Sequence, residues 1–408
     1  MTYYVDGISG NTGADGRTPE TAVACWRELD MKPGDTVLFR RGSVFRDCLE
    51  LPEGESGRPL RCGAYGEGVR PVFMGSVSLA RPELWRETAP DIWQWGGESL
   101  ATEPGNLIFE GGACGVMVWE ESELRAQDQW LYTASGAQEG GPAPEGARLM
   151  LRSRGNPALR HSVLEVALYG HRHIVSGRSH VVFEDLAFVN AGLHGYGESH
   201  ARDVTFRRCE FRMIGGMVWS REKRIRYGNA LELWDDSRDV RVEECLFDGV
   251  YDSCVTHQGP GERAGLAVNV AFVGNTFRNY GMAAYEARDK VGVDVRFERN
   301  RCEGAGLGFA LQGETPPRRS EIWPRPMGHH LFIWRMPDAT EGGCIRVCGN
   351  YFGAAPYGAA IYSLAGPGAE AQILRSGNEY AKASGLLVRW GGRDISAEEL
   401  RGRSADEV

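Results

Sequence analysis

The sequence predicts an all-β chain wound as a right-handed parallel β-helix, with a short N-terminal capping helix and a β-rich insertion. Three observations lead there. A block of alternating apolar and polar residues recurs as VVFEDLAF (181–188), DVTFRRCEF (203–211), DVRVEECLF (239–247), NVAFVGNTF (269–277), DVRFERNRC (294–302), CIRVCGNYF (344–352) and AQILRSGNEY (371–380). Period-two alternation is the mark of a strand, and its return every few tens of residues is the mark of a solenoid. Two positions before the last residue of each block stand Leu186, Cys209, Cys245, Asn275, Asn300, Asn350 and Asn378. Four asparagines in one column predict a ladder, each side chain bonded to the next coil at a shared turn. Each block is then followed by a Gly-rich corner and a second short strand: ALELW (230–234), CVTHQ (254–258), AAYEA (283–287), FALQ (309–312), AAIYS (359–363) and LLVRW (386–390). Coils stacked at about 4.8 Å turn these second strands into one continuous parallel sheet.

Taken in chain order, YYVDGISGNTGADGRTPETAVACWREL opens the chain, with Thr18 placed to cap and Pro19 to start a short helix over the first coil. KPGDTVLFRRGSVFRDCLEL and GAYGEGVRPVFMG add strands with turns at Pro-Gly and Tyr-Gly. These make residues 1–80 the cap and first coils. Residues 81–168 hold WRETAPDIWQW, GNLIFEGGACGVMVWEE, DQWLYTASG and ARLMLRSRGNP, expected as a β-rich side module. Residues 169–395 carry the main coils, and 396–408 form a charged tail. The opening YYVD…DG…PETA segment and the PGD-x-V-x-F-x-x-G stretch resemble the pectate-lyase-like right-handed β-helix superfamily, over residues 1–80 and 171–390. That resemblance implies a carbohydrate-active protein whose substrate lies in a groove over one sheet. No catalytic signature of polygalacturonases or pectate lyases matches, so no residue role carries over.

The bulk composition narrows the partners. With 46 basic against 55 acidic residues, the formal charge is −9, and no long Lys/Arg run is present. This disfavours nucleic acid and anionic membranes. Ten cysteines contain no C-x-x-C pair and read as reduced, packed thiols. His171 and His173 alternate as on a strand, and His329 and His330 are expected in a loop; neither pair has metal-ligand spacing, so no metal is assigned. Asp235, Asp236 and Asp239 leave Ca²⁺ open as a cofactor, though without a recognisable loop spacing they read as a solvated turn. The N-terminus lacks a basic stretch followed by an apolar one, so the chain as written reads as cytoplasmic, and as secreted if a leader has been removed. Oligomeric state is not legible.

Side-chain direction selects the candidate site. In ALELW the two leucines claim the core, which turns Glu232 and Trp234 outward. In AAYEAR, burying Tyr285 and Ala287 spares an unpaired buried acid and turns Glu286 and Arg288 outward. CVTHQ is expected to bury Cys254 and Thr256 and expose His257, with the corner's length able to shift this by one residue. His194 and Glu198 precede this column, Gln312 follows it, and Asp252 stands at the corner before His257. Two insertions, 213–228 and 313–343, flank the same sheet. Trp219, Trp323 and Trp234 offer ring faces to sugars, while Trp334 in LFIW is expected to pack within its insertion.

Glu232, Asp252, Glu286 and His257 are therefore the candidate catalytic groups. Glu198, Trp234, Arg288, Gln312, His194, Trp219 and Trp323 are candidate substrate ligands. Paired carboxylates over successive coils suit acid–base cleavage of a glycosidic bond, with Glu232 as acid and Asp252 or Glu286 as base, by inversion. A polysaccharide lyase needs a base and a cation for the uronate, for which Arg288, Arg318, Arg319 and Arg325 are at hand. A non-catalytic carbohydrate-binding module is the third reading.

Overall fold

Every repeated block bends at its middle, because a residue with left-handed backbone separates its two halves. That residue is Asp185, Arg208, Glu244, Gly274, Arg299, Gly349 or Gly377, with φ between 51° and 68° in each coil. The computed structural model describes residues 1–133, 145–168, 173–258, 265–307, 328–334, 339–353 and 369–381, together with 309, 355, 360–364, 387–390, 393–396 and 398–399. Each coil thus contributes one strand to each of three long sheets, rather than the two expected from the sequence.

The first sheet stacks Ser179–Glu184, Arg202–Arg207, Arg238–Glu243, Val268–Val273, Val293–Glu298, Ile345–Cys348 and Ile373–Ser376 in parallel register. The second stacks the other halves of the blocks and aligns Phe188, Phe211, Phe247, Phe277, Cys302, Phe352 and Tyr380 in one column. Phe211, Phe247 and Phe277 stack with ring centroids 5.1 and 5.0 Å apart, close to the strand spacing itself. Strand–crossover–strand connections of this kind are right-handed. The chain is the parallel β-helix that its repeats predicted.

The asparagine column is a continuous ladder. Asn300 Oδ1 accepts the Asn275 backbone N–H at 2.9 Å, Asn350 Oδ1 accepts that of Asn300 at 2.8 Å, and Asn378 Oδ1 accepts that of Asn350 at 3.0 Å. Each amide nitrogen also donates to a carbonyl of the first sheet, as Asn300 Nδ2 does to Phe272 at 2.9 Å. Cys245 N–H donates to Asn275 Oδ1 at 2.8 Å, so the ladder carries on into the cysteine coils. Asn300→Ala removes four buried hydrogen bonds, two accepted by Oδ1 from Asn275 and two donated by Nδ2 to Phe272 O and Asn350 Oδ1. It is expected to lower the unfolding free energy by about 3 kcal/mol, read as a lower urea midpoint; an unmoved midpoint would show the ladder to be stabilising nothing.

The front of the solenoid is closed as the sequence suggested. Thr18 caps a 3₁₀ turn over Pro19–Thr21, with reciprocal bonds between Thr18 and Thr21. Trp26, 2% exposed, then plugs the first coils edge-on against Phe39, Phe45 and Phe73. Residues 76–133 and 145–168 leave the solenoid in strands that pair antiparallel, apart from the parallel pair of Val116–Met117 with Gln129–Thr133. Ser76–Ser78, Pro104–Phe109 and Leu164–Leu168 form one small sheet, and five further strands between Trp85 and Arg152 form another. The module has its own core, built on Trp85, Trp95, Trp130 and Tyr132, into which Val218 of the Met217–Ser220 strand also packs.

The third sheet positions the site. It runs through His173–Ser176, His194–Ser199, Leu231–Trp234, Ser253–Gln258, Ala283–Arg288, His329–Trp334, Ala360–Leu364 and Leu387–Trp390. Of FALQ only Phe309 is among the described residues, and it is not in a strand. Ala283–Arg288 pairs instead with His329–Trp334, so the stretch expected as a loop around His329 and His330 is the sixth coil's sheet strand. Residues 310–327, with Gln312, Arg318, Arg319, Trp323 and Arg325, lie outside the described residues, as do His171 and 400–408.

Candidate active site on the third sheet

Register defines two columns on the face of the third sheet turned away from the core. Gly197, Glu232, Thr256, Glu286 and Phe332 align in one. Ser199, Trp234 and Gln258 align two residues further on, and Arg288 pairs with Trp334 on the later coils. Leu231, Leu233, Tyr285 and Ala287 belong to the core, so the expected direction of Glu232 and Glu286 is the observed one. Both carboxylates are nevertheless almost completely enclosed, at 2% and 1% exposure.

Each buried acid is gripped the same way. Trp234 Nε1 donates to Glu232 Oε1 at 2.6 Å, and Asn229 Nδ2 donates to Oε2 at 3.0 Å. Trp334 Nε1 donates to Glu286 Oε1 at 2.7 Å, and the Ser253 hydroxyl donates to Oε2 at 2.8 Å. An indole N–H on one oxygen and a corner side chain on the other hold both groups in a single rotamer. Burial outweighs these bonds. It raises each carboxyl from the usual range to about 7, with the Asp252 charge adding to the rise and Arg288 opposing it. Their backbones lie two coils apart, about 9–10 Å.

Around them, His194 Nδ1 lies 3.1 Å from Glu232 Oε2, and its ring stands edge-on to Trp234. Asp252 sits at the corner, its Oδ2 accepting the Gly228 N–H at 2.9 Å. The Arg288 guanidinium lies 5.8 Å over the Trp334 ring, with Nε 3.5 Å from Asp289. Thr256 Oγ1 and Gln258 Oε1 are enclosed on this face without a hydrogen-bond partner among the described residues.

Several expectations need correction. His257 points into the core, in register with Leu233 and Ala287. Cys254 and Val255 both turn inward at the corner, so the strand gains one residue of phase there and Thr256, not His257, faces out. His257 Nε2 bonds the Lys290 carbonyl at 3.0 Å and must carry the proton there, leaving Nδ1 to accept from Tyr285 Oη at 3.1 Å. Burial lowers its pKa to about 4. It is a neutral core histidine and no proton carrier for this face. Glu198 is in register with Leu233, on the core side near the strand's end, where it accepts the Gly177 N–H at 3.4 Å. Trp234 spends its indole N–H on Glu232 and is half-buried. Trp219 stands on the 217–227 hairpin, 48% exposed, with no hydrogen bond or ring contact to the carboxylates.

Four residues of the site went unassigned in the sequence: Asn229, Ser253, Thr256 and Trp334. A signal existed for the last, since Trp334 follows Phe332 as Trp234 follows Glu232, two residues on and back on the same face. Asp235, half-buried, and Asp236, exposed, lie in the bend after the strand, whereas Asp239 is exposed on the first-sheet strand Arg238–Glu243 and not in the turn expected for it. Among the described residues no cluster of three or more His, Cys, Asp or Glu side chains is arranged to hold a metal. A separate cleft of about 680 Å³, lined by Met74, Phe109, Arg212 and Asp248, lies between the second sheet and the side module, and neither buried glutamate reaches it.

No protein-family model matches the chain, and no curated protein matches it. Among solved structures it is similar to XylC in complex with xylose, with TM-score 0.54 and 13% identity over 93% of this chain and 68% of that one. It is also similar to the GH136 lacto-N-biosidase from Eubacterium ramulus, with TM-score 0.49 and 14% identity over 94% of this chain and 56% of that one. A rhamnogalacturonan lyase aligns with TM-score 0.41 and 10% identity over 87% and 69%. At these identities the likeness is one of fold, a parallel β-helix.

Proposed function

We propose that this β-helix is a glycoside hydrolase that cleaves an oligosaccharide or polysaccharide over its third sheet, with inversion. One observation carries the reading: two enclosed carboxyls, each held by an indole N–H and each raised to about 7, face the same way two coils apart. Near neutral pH such a pair holds about one proton between its two members, which is the state a general acid and a general base need together. A backbone separation of about 9–10 Å suits a carboxyl separation of about 6.5–9.5 Å, which leaves room for an attacking water; about 5 Å would suit a covalent intermediate.

In this reading Glu232 is the acid. Its Oε2 lies 3.1 Å from His194 Nδ1, whose lone pair accepts the Asn229 backbone N–H. Glu286 is the base; burial keeps both pKa values high, and the charge of Asp252 at the corner adds to it. Asn229, Ser253, Trp234 and Trp334 fix the carboxyl planes.

A glycan panel tests the proposal. New reducing ends without unsaturated sugar, and a first-formed product of inverted anomeric configuration by proton NMR, are expected. Ultraviolet absorbance growing in step with cleavage would replace the hydrolase by a lyase, in which Arg288 would face the uronate. Retention of the anomer would remove the inverting mechanism.

A further inference from the structure

Thr256 occupies the coil between the two acids. Glu232 pairs with Thr256 and Thr256 with Glu286, so its side chain leaves the same face, one strand spacing from each. It is completely buried, and its Oγ1 has no hydrogen-bond partner among the described residues. An enclosed hydroxyl left unbonded costs about 1–3 kcal/mol, and a packed β-helix keeps such a group only where something bonds it. A valine there would fill the same space without that penalty. The glutamates reach two atoms further from the sheet than threonine does, so Thr256 is the floor of a notch with a carboxyl on either side. A water seated there meets three polar groups, the number an enclosed water ordinarily bonds.

We infer that Thr256 seats the water that attacks the anomeric carbon, an inference that rests on the hydrolase reading above. The water donates one hydrogen to the Glu286 carboxylate and the other to Thr256 Oγ1, which leaves a lone pair aimed out of the notch. As the new C–O bond forms, the glycosidic C–O bond breaks and its oxygen takes the proton of Glu232. Glu286 ends with the water's proton, and Glu232 ends ionised. Thr256 gives and takes no proton overall; it fixes the direction from which the water approaches.

The first test needs no substrate. A high-resolution crystal structure of the wild-type chain is expected to show a water within about 3.2 Å of Thr256 Oγ1, flanked by both carboxyls. A notch closed by side chains, or empty, overturns the inference. The second test compares Thr256→Val with Thr256→Ser on the glycan that the wild type cleaves. Valine is expected to lower kcat about 10²-fold with KM within twofold and a thermal midpoint no lower than wild type; serine is expected to retain most of the turnover. A valine variant of near-normal kcat overturns the role of Thr256 and leaves the hydrolase standing. Equal losses in both variants, tracked by falling thermal midpoints, show a packing residue and also overturn it. If the wild type releases no reducing ends from any glycan, the hydrolase reading itself falls and takes this one with it.

Discussion

Glu286→Gln is expected to lower turnover by a factor of at least ~10² while leaving KM within a few-fold. The substitution keeps shape and removes the group that takes the water's proton. It is also the cleaner of the two isosteric tests. Glu286 Oε2 faces the Ser253 hydroxyl, which can turn from donor to acceptor and so receive the new amide N–H. At Glu232 both oxygens face N–H donors, from Trp234 and Asn229. Glu232→Gln must set an amide N–H against one of them, and it is expected to lose a comparable turnover plus some stability. Reducing-end assays and thermal melts on both variants separate the two contributions. Near-normal turnover in Glu286→Gln would remove it as the base.

The second large effect is on pH. Because both carboxyls are raised to about 7, kcat/KM is expected to be bell-shaped with its maximum near neutrality, not near pH 5 where unshifted carboxylates would place it. The same shift enters stability. A carboxyl whose folded pKa lies above its unfolded value binds its proton more tightly when folded. Its contribution is complete below the unfolded pKa and is lost as pH rises through about 7. Burial acts oppositely on His257 and His330, each lowered to about 4: their contribution is present above the unfolded histidine pKa and is lost as pH falls toward 4. The two trends offset one another in mildly acidic solution. The difference between wild type and Glu286→Gln isolates the carboxyl. The variant is expected to gain stability relative to wild type between pH 5 and pH 8, by on the order of 3 kcal/mol if the shift is fully expressed. Parallel melting curves across that range would show Glu286 to titrate normally and would flatten the bell.

Much of the molecule was legible in the sequence because its determinants are local and repeat. Alternation within each block specifies strands, and the column from Asn275 to Asn378 marks one corner in successive coils. The leucines beside Glu232, and Tyr285 and Ala287 beside Glu286, settled which way those acids turn. Each of these inferences needs only the two-residue period of a strand and the cost of burying a charge. The capping turn at Thr18 and Pro19 was legible for the same reason, since its bonds span three residues.

What only the tertiary structure decided depends on phase and on partners distant in sequence. One additional inward residue at the Cys254–Val255 corner turned His257 into the core and Thr256 out of it, and nothing in CVTHQ alone counts the residues a corner consumes. The coil that follows Ala283–Arg288 is His329–Trp334 rather than FALQ, a choice made by strand pairing across forty residues. That pairing carried Trp334 onto Glu286. The sequence by itself determined that carboxylates would line one face of the third sheet. The stacking of coils decided that they are enclosed, gripped in pairs and raised toward neutrality, because burial is a property of everything packed around a residue and not of its neighbours along the chain.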